Sequence, residues 1–415
     1  DADMVVFPEY GLYPSGMTRD EIEPFLESIP DPSEAWNPCA EPDKYPNTEL
    51  QRQLSCMAKE NNIYVVANIG DRVPCEEGSA DCVGGRHQYN TNVAYDRTGT
   101  HVARYHKYNL FFEDRYDTPP EPEYSYFDTP FGRMGTVICF DLLFEEPALR
   151  LVEDFQIDTM VFPTAWMNVL PYFSAVPFHQ AYAIGSGINL LGSNLHAPYA
   201  RFSGSGVYGY NTTVSFRNDE ESLEPALLIG TLKSSPTKTH QQEVAIEPTE
   251  SVDFTSEIFG DVYNFVTVKE PEGVLKVCSD SLCCEASYRR ESEESSEYFA
   301  LGAFRGLHVK EGVYFLEVCA FLKCSDGQEN FCEDGTIRTS ETHFSYVNVT
   351  GSFSTQHVYP MFVSSEVDPS AGSWNYDGRF IVSHDSSKAF LSAIAFGRRF
   401  DLDDPNVTPL PPGAK

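Results

Sequence analysis

The sequence predicts a layered α/β domain followed by a mostly β domain that is held together by disulfides. Strand and helix patterns alternate in the first half, whereas hairpin-like apolar segments dominate after residue 250. Eleven cysteines in 415 residues indicate a cross-linked chain. This length exceeds one ordinary core, so we predict an α/β domain over residues 1–235, a β-rich domain with six cysteines over 236–400 and a Pro-rich tail over 401–415.

The first half carries short β-branched runs separated by helical patterns. Buried strands are predicted at Met4–Phe7, Ile63–Ala67, Gly135–Ile138, Thr159–Phe162 and Gly187–Leu191. Helices are predicted at Thr48–Glu60, Pro147–Asp154 and Pro177–Ile184. The composition turns polar from about Arg217, and within that region Ala226–Leu232 is predicted to return as one more strand. This alternation is typical of a layered α/β domain.

The second half carries longer apolar strands and most of the cysteines. Strands are predicted at Val262–Val268, Gly312–Val318, Phe344–Val347 and Ala389–Phe396. The late cysteines occur as Cys278-x4-Cys283-Cys284 and Cys319-x4-Cys324-x7-Cys332. These spacings lack the Cys-x-x-Cys pairs typical of zinc sites, so they favour disulfides and we expect no metal. In the first half, Cys75 is expected to pair with Cys82 and Cys39 with Cys56.

Bulk charge and apolar content limit the partners. The net charge is −33, and no Lys/Arg cluster stands out, which argues against nucleic acid. The most apolar stretch, Met160–Phe178, is interrupted by three prolines and therefore predicts protein core instead of a transmembrane segment. The cysteine content and the sequons at Asn211, Asn348 and Asn406 indicate an extracellular glycoprotein whose signal peptide would precede Asp1.

Cys139 is the cysteine left over when the other ten are paired. It follows the strand Gly135–Ile138 and precedes Leu142–Val152, which predicts a helix with proline near its first turn. Amides at a helix N-terminus favour a thiolate, so this position fits a nucleophile. A buried structural thiol fits it equally well.

Two further strand ends carry charged residues that suit a catalytic thiol. Glu9 follows Pro8 at the end of the first strand, and Lys107 follows the strand ending at His106. Either residue alone also fits a solvated loop. A Cys/His pair is the competing arrangement, but His106, His179 and His196 lie in no recognisable local pattern.

These residues match the motifs of a family. Phe7-Pro-Glu9, Arg104-Tyr-His-Lys107-Tyr-Asn-Leu110 and Cys139-Phe-Asp141 are similar to the three catalytic motifs of the nitrilase superfamily. Val161-Phe-Pro-Thr-Ala-Trp166-Met-Asn-Val-Leu-Pro171 resembles its vanin and biotinidase branch, and the similarity extends over essentially the whole chain. The resemblance implies a four-layer α-β-β-α domain with a β-rich base domain behind it. It also implies a strand and a helix ahead of Asp1 that this sequence does not contain.

The resemblance implies a division of labour at the site. Glu9 would be the general base, Cys139 the nucleophile, and Lys107 together with the backbone amide of Phe140 would hold the oxyanion. Glu113 lies where many relatives place a second glutamate, although it also fits a surface acid. Trp166 fits a pocket wall or core packing. No cofactor is required.

The implied activity is hydrolysis of a linear carboxamide by a secreted amidase, with a small-molecule amide as its partner. Vanin-like relatives act on pantetheine and biotinidases on biotin amides such as biocytin; we favour pantetheine. The alternative from another class is a secreted interaction glycoprotein without turnover. We expect a monomer, and anchoring is left open because vanin-type relatives often carry a membrane anchor signal after the base domain.

Overall fold

The computed structural model describes residues 2–14, 16–76, 78, 82–233, 244–293, 295–324, 331–332, 337–369, 374–378, 381–383 and 387–411. The predicted domain boundary at residues 235 and 236 lies outside the described residues, as do residues 412–415 of the predicted tail. The domain limits therefore stay a prediction.

The first sheet combines parallel and antiparallel strands. Its members are β1 (Met4–Val6), β2 (Leu26–Glu27), β3 (Tyr64–Pro74), β4 (Arg86–Tyr95) and β5 (His101–His106). β1 and β2 pair with β3 in parallel, while β3, β4 and β5 are successive antiparallel neighbours. Val65 and Ala67 belong to one apolar cluster, and Tyr64 and Val66 to another. Because alternate residues point to opposite faces of a strand, both faces of this sheet are buried.

The second sheet has a parallel centre and antiparallel edges. Its members are β6 (Tyr126–Thr129), β7 (Gly132–Thr136), β8 (Thr159–Thr164), β9 (Asn189–Asn194), β10 (Ser205–Gly209) and β11 (Thr212–Arg217). They lie in the order β11-β10-β9-β8-β7-β6, and β7, β8 and β9 are parallel. The continuous apolar run Met160-Val161-Phe162 in β8 is typical of a parallel strand that is covered on both faces.

Helices cover the outer faces of the two sheets. They are α1 (Arg19–Ile22), α2 (Glu49–Asn61), α3 (Arg150–Glu153) and α4 (Ala175–Ser186). Leu54 and Ala58 of α2 pack against the first sheet, and Phe178 of α4 lies in the cluster that covers the second. The inner faces meet where Val66 and Val161 share a cluster. The expected α-β-β-α layering is confirmed.

The remaining strands form two packed sheets. They are β12 (Phe254–Ile258), β13 (Asp261–Thr267), β14 (Glu272–Ser279), β15 (Leu282–Arg290), β16 (Phe299–His308), β17 (Tyr314–Lys323), β18 (Phe344–Gly351), β19 (Val358–Ser364), β20 (Trp374–Tyr376), β21 (Ile381–Ser383) and β22 (Phe390–Arg398). One sheet has the order β12-β13-β16-β17-β22-β19 and the other β14-β15-β18-β21-β20. Tyr288 and Val347 of the second sheet share a core with Phe321 and Phe362 of the first. This β-rich unit is called the base domain below.

The six-stranded sheet of the base domain also packs against the α/β domain. Tyr263 and Phe396 from its other face share one core with Tyr172 and Phe178. Tyr182 of α4 stacks on Tyr359 of β19 with ring centroids 5.3 Å apart. Apolar burial therefore joins the two domains along α4.

Five disulfides use ten of the eleven cysteines. The two expected pairs, Cys39 with Cys56 and Cys75 with Cys82, are confirmed. In the base domain the pairs are Cys278–Cys283, Cys284–Cys319 and Cys324–Cys332. Cys284 is in β15 and Cys319 in β17, so this bond joins the two sheets of the base domain. Cys139 is the free cysteine.

Two predicted elements are wrong. Ala226–Leu232 forms no strand, and Leu227 and Ile229 are 74% and 76% exposed. Its backbone lies against Val207 and Val214, each 2.9 Å from the place of a Cβ on Gly230, so it rests on side chains instead of pairing with a strand edge. The helix predicted over Leu142–Val152 is broken at Phe144, whose backbone is extended (φ −111°, ψ 158°).

Among the residues that the structure describes, no helix is both long enough and apolar enough to cross a membrane.

Candidate active site

A cavity of about 400 Å³ opens between the α/β domain and the base domain. Its walls include Glu9, Lys107 and Cys139 from the α/β side. From the base domain come Phe259, His308, Lys310, Glu311 and Tyr314. The volume suits a small organic substrate.

Glu9 connects the two sheets of the α/β domain. The side chain is buried, and its Oε1 accepts hydrogen bonds from Lys107 Nζ at 2.9 Å and Asn90 Nδ2 at 2.7 Å. Its Oε2 accepts from the backbone amide of Ala165, just after β8, at 2.7 Å. Three donors from different segments thus hold the carboxylate at the strand ends, where α/β proteins place their sites.

Lys107 is a fully enclosed ammonium between two carboxyl groups. It follows β5, and Nζ lies 2.9 Å from Glu9 Oε1 and 2.6 Å from Glu113 Oε2. Burial alone lowers the pKa of Lys107, but the charge of Glu9, together with that of Asp141, outweighs it and raises the pKa above its usual value. The lysine is therefore charged at neutral pH.

Glu113 lies inside the site and not on the surface. It accepts hydrogen bonds from Asn90 Nδ2 at 3.0 Å, from the Phe111 amide at 3.2 Å and from the hydroxyl of Tyr10. Burial, and then the charge of Glu9, raises the pKa of Glu113 well above its usual range. The sequence allowed Glu113 to lie either in the site or on the surface. The structure places it among the residues that line the cavity.

Cys139 begins a tight 3-10 turn, Cys139–Leu143, directly after the second sheet. Its φ is +48°, a left-handed conformation that costs roughly 1–3 kcal/mol for such a residue. Asp141 restrains the start of the turn, because its carboxylate accepts from the Ile138 amide at 3.1 Å and from Tyr105 OH at 2.7 Å. The backbone amide of Asn109 donates to the other carboxylate oxygen of Asp141 at 2.8 Å.

The resting thiol is neutral, so of the two interpretations that the sequence left open, a thiolate stabilised by a helix N-terminus is not supported. Burial, followed by the charge of Glu9, raises the pKa of Cys139 to about 12, while Lys107 acts in the opposite direction. The turn that begins at Cys139 spans only five residues, too few for a substantial helix dipole. A nucleophilic role for this thiol therefore needs a base to remove its proton.

The side chains of Phe140 and Trp166 both line the cavity. Phe140 packs edge to face with Phe111, with ring centroids 5.0 Å apart. Trp166 stacks on Phe178 at 5.2 Å, and its Nε1 donates to the Phe173 carbonyl at 2.8 Å. Trp166 is thus both a wall of the pocket and a part of the core.

Several residues of the site were not predicted from the sequence. Asn90 donates to both glutamates, and Asp141 restrains the cysteine turn. Asp141 could have been found as a charged residue in the otherwise apolar run 137–144, since buried polar groups require specific partners. Asn90 lies in a polar stretch of β4 and carries no such signal. No local sequence pattern predicts the base-domain residues that line the cavity, because they reach the strand ends only through the packing of the two domains.

The three sequon asparagines differ in exposure. Asn211 lies at the turn between β10 and β11 and is exposed, as is Asn406. Asn348 is half-buried within β18, and its Nδ2 donates to Ser287 Oγ at 3.2 Å.

Comparisons with known proteins agree on one family. The carbon-nitrogen hydrolase model matches residues 1–171, and the vanin C-terminal domain model matches residues 252–403. The pantetheinase of Canis lupus familiaris is 42% identical over 413 residues, covering 97% of this chain and 80% of that protein. The biotinidase of Homo sapiens is 35% identical over 445 residues, covering 97% and 81%.

Solved structures that match part of this chain include a mutant of the amidase from Nesterenkonia sp. AN1. It is 17% identical with a TM-score of 0.36, over 52% of this chain and 75% of that one. Saccharomyces cerevisiae Nit3, a member of the nitrilase superfamily, is 20% identical with a TM-score of 0.36, over 50% and 69%.

Proposed function

Because this chain belongs to the carbon-nitrogen hydrolase family and carries a vanin C-terminal domain, we propose that it hydrolyses pantetheine to pantothenate and cysteamine. The chain is a hydrolase that acts on amides, as its pantetheinase and biotinidase relatives are. The observation that carries the mechanism is the enclosed cluster of Glu9, Lys107 and Glu113, which shares one cavity with the Cys139 thiol.

In the first half-reaction, Glu9 takes the proton of the Cys139 thiol as the sulfur attacks the amide carbon. The carbonyl oxygen becomes an oxyanion, which the Lys107 ammonium and the Phe140 amide stabilise. Glu9 then protonates the leaving nitrogen, the carbon–nitrogen bond breaks, and cysteamine departs. The acyl group remains on Cys139 as a thioester.

In the second half-reaction, Glu9 removes a proton from a water molecule, which attacks the thioester carbon. The same oxyanion donors stabilise the second tetrahedral intermediate. Its collapse breaks the carbon–sulfur bond, releases the carboxylic acid, and returns the proton from Glu9 to the sulfur. One water is consumed, and the side chains return to their starting protonation states.

We propose pantetheine instead of a biotin amide as the substrate because this chain is more similar to a pantetheinase than to a biotinidase. Identity to the canine pantetheinase is 42%, against 35% to the human biotinidase at equal coverage of this chain. Biotinidase activity is the second candidate. Arg115 and Lys310 line the cavity, and a cationic lining suits the carboxylate of biocytin, which pantetheine lacks.

A side-by-side assay separates the two substrates. Cysteamine release from pantetheine and lysine release from biocytin are measured for the wild-type chain and its Cys139→Ala variant. Faster Cys139-dependent cysteamine release supports the proposal, and faster lysine release supports biotinidase activity. If neither substrate is turned over, both assignments fail.

Labelling with iodoacetamide tests the non-enzymatic alternative. A catalytic thiol in an open cavity reacts in the native protein at one site, Cys139, while the disulfide-bonded cysteines do not react. A thiol that reacts only after denaturation supports an interaction protein without turnover.

We further propose an extracellular monomer that is N-glycosylated at the exposed residues Asn211 and Asn406. Five disulfides support an oxidising compartment. Asn348 stays a predicted site. Glycopeptide mapping of the protein expressed through a secretory pathway tests each position, and unmodified Asn211 and Asn406 would contradict the assignment.

A further inference from the structure

The turn that carries Cys139 is contacted by the base domain as well as by its own domain. One contact comes from Arg398 at the end of β22, and another from the loop between β16 and β17, near Gly312. Both contacts lie on residues that follow Cys139 within the same turn. The base domain is therefore placed to influence the conformation of the nucleophile.

Arg398 is fully buried, with 0% of its surface exposed. Two of its nitrogens pair with Asp403, at 3.0 Å and 2.6 Å, and the guanidinium stacks over Phe400 at 4.3 Å from the ring centroid. Nη1 also donates to the Phe315 carbonyl at 2.7 Å. These partners set the plane of the guanidinium, and its rigid shape then fixes the direction of the remaining donor.

That remaining donor crosses to the other domain. Nε of Arg398 donates to the carbonyl oxygen of Leu143 at 3.0 Å, and this bond is buried. Leu143 is the last residue of the turn that Cys139 begins, and it lines the cavity. A charge-assisted bond to a buried carbonyl is stronger than a neutral one. The base domain thus restrains the end of the turn, while Asp141 restrains its start.

The loop at Gly312 lies close to the middle of the same turn. A Cβ on Gly312 would approach the ring of Phe140 to 2.8 Å, which shows that the backbone and the ring are already in contact. Phe140 directly follows Cys139, and its ring also packs on Phe144, 5.0 Å away between centroids. Close packing of this kind leaves the turn little room to relax.

The restraint matters because the left-handed conformation of Cys139 is unfavourable on its own. Its φ of +48° persists only where the surroundings over-determine it. A relaxed turn would move the sulfur away from Glu9 and the oxyanion donors. Misplacement of reacting atoms by about 1 Å can cost roughly a hundredfold in rate.

We propose that Arg398 is a positioning residue that holds the Cys139–Leu143 turn in its reactive conformation through the Leu143 carbonyl. The base domain is then a working part of the amidase site and not only a support. The turnover test of this inference rests on the proposed function, whereas the thiol-reactivity test does not.

The test compares Arg398→Lys with Arg305→Lys. Lysine retains the positive charge beside Asp403. It lacks the planar guanidinium whose nitrogens bind Asp403 and the Leu143 carbonyl simultaneously. Arg305 is the matched control, because this base-domain arginine pairs with Asp280 at 2.8 Å and Glu317 at 3.2 Å, away from the turn. Both variants are compared with the wild type in kcat, KM, Tm and the rate of Cys139 alkylation by iodoacetamide.

For Arg398→Lys we expect kcat to fall about 10- to 100-fold, KM to change by less than about threefold, and alkylation to slow by a similar factor to kcat. Arg305→Lys should keep wild-type kcat and alkylation even if its Tm falls. A folded Arg398→Lys with wild-type kcat overturns the inference, and so does a loss of kcat with unchanged alkylation, since the turn is then intact.

Gly312→Ala provides an independent variant if Arg398→Lys fails to fold. Its methyl group would lie 2.6 Å from the ring of Tyr314 and 2.8 Å from the ring of Phe140, so it would displace the packing against the turn, and kcat and the alkylation rate should fall together. Unchanged values of both would overturn the role of these contacts. If the wild type is alkylated only at Cys139 but hydrolyses neither pantetheine nor biocytin, the proposed function fails while the alkylation comparison still decides the inference.

Discussion

Lys107 lies between Glu9 and Glu113, so one ammonium faces two carboxyl groups in an enclosed space. Taking these charges out of water is costly, and it is tolerated only because each charge has close partners. The same arrangement holds the Lys107 ammonium in position to stabilise the oxyanion that forms during amide cleavage. Removing Lys107 therefore affects both the chemistry and the fold.

For Lys107→Ala we expect kcat to fall by about 10² to 10³ or more and the free energy of unfolding to fall by about 3–5 kcal/mol, since the buried carboxylate of Glu9 loses its counter-charge. Turnover assays and denaturant unfolding under non-reducing conditions measure the two effects. Lys269→Ala is the control: this lysine is 69% exposed and pairs with Asp253, so its loss should cost about 1 kcal/mol or less. A Lys107→Ala protein of wild-type stability would contradict the assigned burial.

The protonation state of Cys139 predicts a particular pH dependence. Burial raises the pKa of the thiol to about 12, so its thiolate fraction should still increase roughly tenfold per pH unit between pH 7 and 9.5. An exposed cysteine, with a pKa of about 8.5, levels off within this range. The alkylation rate of the Cys139 peptide, followed by mass spectrometry, should therefore keep rising. A plateau near pH 8 would show that the thiol is not shielded as described.

At the scale of single elements, the strand and helix predictions succeed where the chain repeats a local pattern. The helix expected at Thr48–Glu60 is observed as α2, Glu49–Asn61, and the strand expected at Thr159–Phe162 as β8, Thr159–Thr164. The strand expected at Ala226–Leu232 is absent because an apolar run forms a strand only where a sheet edge accepts its hydrogen bonds. Whether such an edge is available depends on distant parts of the chain.

The disulfides provide an element-scale prediction. Cys39–Cys56 anchors α2 across a separation of 17 residues, and Cys75–Cys82 spans 7. By loop entropy, Cys39→Ser/Cys56→Ser should reduce the free energy of unfolding by about 3 kcal/mol and Cys75→Ser/Cys82→Ser by about 2 kcal/mol. Denaturant unfolding measures both.

The activity of the Cys39→Ser/Cys56→Ser protein is the accompanying control. α2 packs on the outer face of the first sheet and supplies none of the described residues that line the cavity, so kcat should be unchanged. A large loss of kcat in a folded variant, or the reverse order of stabilities, would contradict this assignment.

For the molecule as a whole, α4 is the shared surface of the two domains. It covers the second sheet on one side and contacts β19 of the base domain on the other. All of its residues from Ala175 to Ile184 are buried, which a helix on the surface of a single domain would not show. The docking of the base domain thus depends on close approach along this helix.

Gly185→Ala tests that approach. A Cβ at this position would lie 2.4 Å from the carbonyl oxygen of Val358, a backbone atom that cannot easily move. We expect a loss of about 1–3 kcal/mol in the free energy of unfolding, although alanine favours a helix by about 1 kcal/mol. A stabilised Gly185→Ala protein would contradict the close packing.

The sequence alone was enough to identify strands β1, β3, β7, β8 and β9, helices α2 and α4, the unpaired Cys139 and its likeness to a nitrilase nucleophile. These features depend on residue type and local spacing, which a sequence displays directly. Tertiary structure decided that Glu113 joins Lys107, that the Cys139 thiol is neutral at rest, and that Arg398 contacts the nucleophile turn. Each of these depends on burial and on segments far apart in the chain, and local spacing carries no information about either.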